Sequence, residues 1–335
     1  MNNKENAKNI LIVGGAGYIG SYVNQLLHDS GYQTFILDNL STGDMRTLIN
    51  GSFEYGDLGD PLVLNRLFKK HSFAAVMHFA AFIDVGESVS NPAKYYRNNV
   101  SNTLVLLDAM LEHGIKNFIF SSSAAIYGNP EKSCLDESHP KNPINPYGQT
   151  KKIIEDILIN YYHAYGLNST CLRYFNAAGG DPQGKILNFR QNPTNLIPIG
   201  IKSILEKNKE ITVFGIDYPT ADGTCIRDYI HIHDLATAHI LALKELLAEG
   251  GCLKYNLGNG QGFSVKEVLS SIEKITGKKL TIKTGSRRNG DPPILIANAT
   301  KAKNTLGWKP VYTNLDSIVH DAWLTMKHQE NSFKL

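Results

Sequence analysis

The stretch "ILIVGGAGYIG" (residues 10–20) constrains the fold more than any other part of the chain. An apolar run stops abruptly at glycines, and an amphipathic segment, "SYVNQLLHDSG", follows. That order predicts a buried strand, a tight turn and a helix. Gly15, Gly17 and Gly20 fit GxGxxG, while Gly14, Gly17 and Gly20 equally fit GxxGxxG. Glycines there let the backbone approach a pyrophosphate held at the helix N-terminus. A second apolar run, "YQTFILDN", ends at Asp38, where a carboxylate can hydrogen-bond ribose hydroxyls and would repel a 2′-phosphate. The expected cofactor is NAD rather than NADP.

The alternation continues. "SFEYGDL", "AAVMHFAA", "KNFIFSSSAAIYG" and "STCLRYFN" read as further strands, with helical patterns at "PLVLNRLFKKH" and "NNVSNTLVLLDAMLEHG". Strand and helix in turn imply an α/β, Rossmann-type, doubly wound parallel sheet. The regular alternation is lost beyond "LRYFN", where "DPQGKILNFRQNP" looks like a loop. The expected organisation is therefore a dinucleotide-binding domain over residues 1–176 and a smaller mixed α/β substrate lobe over 177–335. Residues 225–250 are a candidate for returning to the first domain.

Bulk properties narrow the function classes. With 335 residues, 42% hydrophobic and 19% charged, the chain can bury a substantial core. A net charge of +3 gives no sign of a nucleic-acid partner. Cys134, Cys171, Cys225 and Cys252 form no CxxC pair and read as buried free thiols in a reducing compartment. The N-terminus resembles neither a signal peptide nor a membrane span, so a cytoplasmic protein without a membrane partner is expected. "HIHD" (His231, His233, Asp234) would put two histidines on one strand face, but no third ligand is near and no metal is expected. His78, in an apolar strand, reads as packed or lining the cofactor. The C-terminal "SIVHDAWLTMKHQ" reads as an amphipathic helix packed on the sheet.

Chemistry enters with "NPYGQTKKIIED" (residues 145–156). Tyr147 and Lys151 stand four residues apart, about one α-helical turn, and so face the same way. A free tyrosine, with a pKa of about 10, is a poor base at neutral pH. A nearby ammonium, the helix N-terminus and a nicotinium charge would each favour its phenolate. Tyr147 is thus a candidate general base for a substrate hydroxyl, beside a cofactor that takes hydride. Ser121–Ser123 end the fifth strand at the carboxyl edge, where such sheets bind ligands. Ser123 is placed to hydrogen-bond the same hydroxyl.

Glycine turn, strand-end Asp, serines and YxxxK together resemble the extended short-chain dehydrogenase/reductase superfamily. Within it the chain is most similar to the UDP-glucose (UDP-galactose) 4-epimerase family. "LDNLSTG", "YYRNNV", "FSSSAAIYG", "NPYGQTK", "LRYFNAAG", "VFGIDYPTADGTCIRDYIHIHDLA", "YNLGNG" and "LGWKP" carry the resemblance over nearly the whole chain, and "DYPTADGTCIRDYIH" is the most specific. It implies permanently held NAD and a sugar C4 that is oxidised, turned over as the 4-keto form, and reduced on its other face. Tyr147 would take the 4-hydroxyl proton, Lys151 would hold the nicotinamide ribose and Ser123 would orient the hydroxyl. Further cofactor contacts are implied at Gly14, Gly17, Tyr18, Ile19, Gly20, Asp38, Asn39, Asp57, Leu58, Phe79, Ala80, Asn98, Ser121 and Tyr174. For the UDP-sugar the resemblance implies Asn176, Asn195 and Leu196, with Phe214 near uracil, Arg227 and Arg288 on the diphosphate and Asp291 on the uridine ribose. Leu295 matches a position against the sugar's C2 substituent. Tyrosine there accompanies restriction to UDP-glucose and UDP-galactose, and small residues accompany N-acetylated sugars. A homodimer is also implied.

The chain departs from the family pattern at Ile83 and Asp84, where many members carry Lys, and at Ala125, where threonine is common. Two alternatives share the scaffold. A sugar-nucleotide 4,6-dehydratase needs an acid after the strand-five serine, where this chain reads "SAAIYG". A catalytically inactive NAD-sensing protein would not need Tyr147, Lys151 and Ser123 all present.

Overall fold

The computed structural model describes residues 9–187, 193–206, 210–288 and 291–332. Strand β1 (Asn9–Val13) shows why the first half is layered. Ile10 and Ile12 point into one apolar core and Leu11 and Val13 into another, the two-residue period of a strand covered on both faces. Around it the chain runs α1 (Tyr18–Asp29), β2 (Gln33–Asp38), β3 (Ser52–Tyr55), α2 (Pro61–Lys70) and β4 (Ala75–His78). Helix α2 starts where expected of its sequence: Asp60 caps the Leu62 and Val63 amides, and Pro61 occupies the first turn. Helices α3 (Val85–Ser90) and α4 (Pro92–Tyr95) follow. A π-helical turn at Tyr96–Ser101 joins α4 to α5 (Asn102–Glu112), which leads into β5 (Asn117–Ser123). Next come β6 (Cys134–Leu135), α6 (Pro146–Tyr165) and β7 (Asn168–Tyr174).

The remainder comprises β8 (Asn176–Ala178), α7 (Leu196–Leu205), β9 (Ile211–Phe214), β10 (Ile226–His231), α8 (Ile232–Glu249), β11 (Cys252–Leu257), β12 (Gly262–Ser264), α9 (Val265–Thr276), β13 (Ile282–Gly285), β14 (Ile294–Ala297), α10 (Thr300–Leu306) and α11 (Leu315–Ser332). The main sheet has seven strands in the order β3-β2-β1-β4-β5-β7-β11, every pair parallel. The order reverses between β1 and β4, and this switch point opens a crevice at the carboxyl ends of the strands. One face is covered by α1 and α8, the other by α2, α5 and α6.

The last strand of the sheet, β11, comes from the second half of the chain, and α8 packs on α1. β10 belongs to a second sheet, ordered β12-β10-β14-β6, with β8 also on β10. β9 and β13 form a small parallel pair beside it. A third core joins α7, α9 and α11 through Ile197, Ile201, Val268, Ile272, Ile318 and Val319. The C-terminal helix is thus amphipathic as expected but packs chiefly on α7 and α9, not on the main sheet, because those helices offer its apolar stripe a matching face.

Two other expectations need correcting. All four cysteines are free, but only Cys171 and Cys225 are buried; Cys134 is exposed and Cys252 half-buried. His231 and His233 do not share a strand face, because α8 begins between them and the His231 ring caps the His233 amide at 3.0 Å. Part of the expected loop over 181–193 lies outside the described residues.

Candidate active site

The crevice is built from strand ends. At β1 the chain turns at Gly14 with φ +80, and a Cβ there would sit 2.5 Å from the Ala80 amide nitrogen. Only glycine lets the first turn lie against Phe79 and Ala80 at the end of β4. Helix α1 then starts at Tyr18 with Gly17 at its cap and no side-chain capping bond, so the amides of its first turn (Tyr18, Ile19, Gly20) have no side-chain partner. Asp38 ends β2, its carboxylate accepting from the Ala16 amide at 2.9 Å and the Leu40 amide at 2.8 Å. Burial raises its pKa, opposed by these two bonds. Asn39 donates to Asp57 at 2.6 Å, and Leu58 is buried beside it. An uncapped helix N-terminus together with a strand-end carboxylate fits the pyrophosphate and ribose of NAD.

Asn98 lies in the π-helical turn and donates to Asn99 at 2.9 Å. Asn99, which the sequence reading passed over, bonds both the amide and the carbonyl of Phe82 and reaches Thr150 at 3.2 Å. It therefore ties the loop after β4 to α6. Ile83 is exposed, and Asp84 caps α3 through the Glu87 amide at 2.8 Å; the nearby cation is Lys94, 4.2 Å over the Phe82 ring and 2.6 Å from Glu87.

Helix α6 carries the reactive pair. Asn145 caps it through the Gly148 amide at 2.8 Å. A Cβ on Gly148 would come 2.5 Å from the Ala125 carbonyl oxygen, so the helix start packs directly on the turn that follows β5. This contact brings the Tyr147 phenol near Ser123. Ser123 accepts from the Ala125 amide at 3.2 Å, which leaves its hydroxyl proton free to donate. Lys151 is buried, with Nζ 2.7 Å from the Ser121 carbonyl oxygen and 5.9 Å from the Tyr147 ring centre. Tyr174 bridges the Ser121 hydroxyl, at 2.9 Å, and His239 Nε2.

The electrostatics differ from expectation. Burial raises the Tyr147 phenol, and Ser123 opposes the rise. Lys151 is not among the groups that shift it, and burial pushes its own ammonium down to about 7. His78 is packed, as read: it lies 5.8 Å from the Phe118 and Phe120 ring centres, and burial drives it to about 3.

On the far side of the crevice Asn176 begins β8, Asn195 caps α7 without a side-chain capping bond, and Leu196 opens that helix. Arg227 on β10 is in register with Leu295 on β14. Arg227 also forms an ion pair with Asp291, whose amide bonds the Arg288 carbonyl at 3.3 Å. The Arg288 guanidinium sits 4.2 Å above the Phe214 ring. Leu295 packs against the cluster that contains Ala124 and Phe175, immediately beside Ser123. Two groups of residues thus stand together: a Tyr-Lys-Ser set at the sheet edge, and an arginine-aromatic-carboxylate set on the second lobe.

A seven-stranded dinucleotide crevice with a Tyr-Lys-Ser set at its mouth is the architecture of an extended short-chain dehydrogenase/reductase. The family model described as GDP-mannose 4,6 dehydratase matches residues 11–321. The UDP-glucose 4-epimerase of Halalkalibacterium halodurans is 46% identical over 324 residues, 97% of both chains. Among solved structures, the Brucella ovis UDP-glucose 4-epimerase in complex with NAD superposes with TM-score 0.92 at 46% identity, covering 94% of this chain and 97% of that one. The Bifidobacterium longum enzyme with NAD+ and UDP gives 0.93 at 35%, covering 97% and 100%. The chain belongs to the UDP-glucose 4-epimerase family.

Proposed function

We propose that the chain interconverts UDP-glucose and UDP-galactose as an NAD-dependent 4-epimerase. The observation that carries this reading is Tyr147, near Ser123 and one helical turn from the buried Lys151, at the mouth of a crevice fit for NAD. Bound NAD would supply a hydride acceptor and then donor for sugar C4, with no net redox change. Tyr147 Oη removes the proton from the 4-hydroxyl and later returns it to the same oxygen. Ser123 Oγ donates to that oxygen and holds the sugar in line with Tyr147. Lys151 would hold the nicotinamide ribose and supply positive charge when protonated. Gly14, Gly17 and the first amides of α1 would hold the pyrophosphate, with Asp38 on the adenosine ribose. Arg227 and Arg288 take the diphosphate because planar guanidinium forks give bidentate, charge-assisted bonds.

Dehydration is the weaker reading, since the turn after Ser123 runs Ala124, Ala125, Ile126 and Tyr127 and provides no carboxylic acid for elimination. The family resemblance carries a homodimer and a cytoplasmic location into this proposal as well. Among the described residues no helix is long and apolar enough to cross a membrane. The test is incubation of purified protein with UDP-galactose and no added cofactor, followed by separation of the nucleotide sugars. UDP-glucose should accumulate to equilibrium, and NAD should be released on denaturation. A protein that purifies free of NAD, or that consumes free NAD at each turnover, contradicts the mechanism.

A further inference from the structure

Ser122 differs from its neighbours in direction. Ser121 bonds Tyr174 and Ser123 stands near Tyr147, whereas Ser122, on the alternate face of β5, donates to Glu155 Oε1 at 2.7 Å. Glu155 stands on α6 one turn beyond Lys151, and both it and Ser122 are buried. Its carboxylate is gripped by Arg173 of β7, with Nε 2.9 Å from Oε1 and Nη2 2.7 Å from Oε2. Arg173 Nη1 reaches Tyr127 at 2.8 Å, and the Tyr127 hydroxyl donates to Asn256 at 2.6 Å. Burial works against the Glu155 charge, but Arg173, Ser122 and Lys141 hold its carboxyl below the usual range.

A buried ion pair adds little net stability, because desolvation offsets the attraction, and its best-attested use is to fix register. The register fixed here is that of α6 against β5. Two consecutive strand residues are fastened to consecutive turns of the helix: Ser121 through its carbonyl to Lys151, and Ser122 through its hydroxyl to Glu155. We propose that Ser122 and Glu155 are positioning residues that hold Ser123 within hydrogen-bonding reach of Tyr147. The inference rests on the reaction proposed above.

Ser122→Ala tests it with little damage, since both Glu155 oxygens keep their Arg173 bonds and no charge is stranded. Ser122→Thr restores the hydroxyl. In holoenzyme, Ser122→Ala should lower kcat by roughly tenfold, with KM for UDP-galactose changed less than about twofold, the pattern of lost alignment rather than lost binding. NAD occupancy should be unchanged, and Ser122→Thr should recover most of the rate. Near-wild-type kcat in Ser122→Ala overturns the proposal whatever happens to Tm. So does a loss that threonine fails to restore or that tracks lost NAD.

A readout without turnover separates this inference from the reaction itself. Tyr147 ionisation, taken as the ultraviolet difference between each protein and its Tyr147→Phe counterpart, should move to higher pH in Ser122→Ala as Ser123 shifts away from the phenol it lowers. The groups around that phenol are Lys151 on its own helix, Tyr174 on β7 and, next to Lys151, His78 on β4. None of them is altered by the substitution. A wild type inactive on UDP-galactose refutes the proposed reaction, and the ionisation shift then decides the positioning claim: an unmoved phenol sinks it.

Discussion

Lys151 Nζ donates to the Ser121 carbonyl oxygen at 2.7 Å while lying 5.9 Å from the Tyr147 ring centre, so one side chain spans strand end and helix start. Tyr147→Phe removes the proton acceptor and nothing else. It should lower kcat at least ~10²-fold, the lower range for losing a positioned general acid–base, with fold and NAD content retained. Lys151→Ala should impair turnover too, because the side chain that spans strand end and helix start is gone. Steady-state kinetics between pH 6 and 10 measure both. Near-normal turnover in Tyr147→Phe would assign the proton to another group.

Lys151 should also cost stability. Its folded-state pKa of about 7 lies below the free value of 10.5, with burial as the cause. Between these values the unfolded chain binds more protons than the folded one, so stability rises with pH through this window. Below pH 7 both states are protonated and the folded state bears the whole penalty of the buried ammonium. Lys151→Met should therefore stabilise the NAD-free protein by at least ~1 kcal/mol at pH 6, and the gain should shrink toward pH 10. Denaturant unfolding at the two pH values gives the comparison. A gain that grows with pH contradicts the assignment.

The fold was legible where local chemistry and tertiary demand agree. The strand-glycine-helix unit and the two apolar faces of β1 follow from spacing alone, because a strand covered on both sides must be apolar throughout. The seventh strand was not legible: "CLKYNL" alternates weakly, and its place depends on Ser169–Tyr174, some eighty residues earlier. Tyr147, Lys151 and Ser123 could be found because helix and strand periods put them at one edge. Asn99, Glu155 and Arg173 could not, since a buried polar residue shows its purpose only when its partners are in view. The sole hint was Glu155, four residues after Lys151 in "KKIIED".

The ion pair between Arg227 and Asp291 sets one guanidinium before any diphosphate arrives. Asp291→Asn keeps the shape and removes the charge. A hydrogen bond to a charged group is worth about 1.5–3 kcal/mol, so KM for UDP-galactose should rise about tenfold or more, with kcat reduced much less. Arg227→Lys should fail to substitute for arginine, because an ammonium lacks the planar fork. Equal losses in kcat and kcat/KM for Asp291→Asn would instead place its effect in the transition state.

The final expectation concerns the sugar itself. Leu295 is in register with Arg227, the proposed diphosphate residue, and packs against the cluster that includes Ala124 of the turn after Ser123. A sugar joined to the diphosphate and presenting its 4-hydroxyl to Tyr147 must pass this side chain. Leucine is smaller than tyrosine but offers no hydrogen bond to an acetamide. UDP-glucose and UDP-galactose should therefore be preferred, with UDP-GlcNAc a weak secondary substrate. Pocket bulk discriminates by only ~1–3 kcal/mol per methylene-sized change, so some leakage is expected. Leu295→Tyr should cut the N-acetyl activity and Leu295→Ser should raise it, each by about tenfold relative to UDP-galactose. The measurement is kcat/KM for both sugars in the three proteins. A ratio that neither substitution moves would show that the C2 substituent meets a different wall.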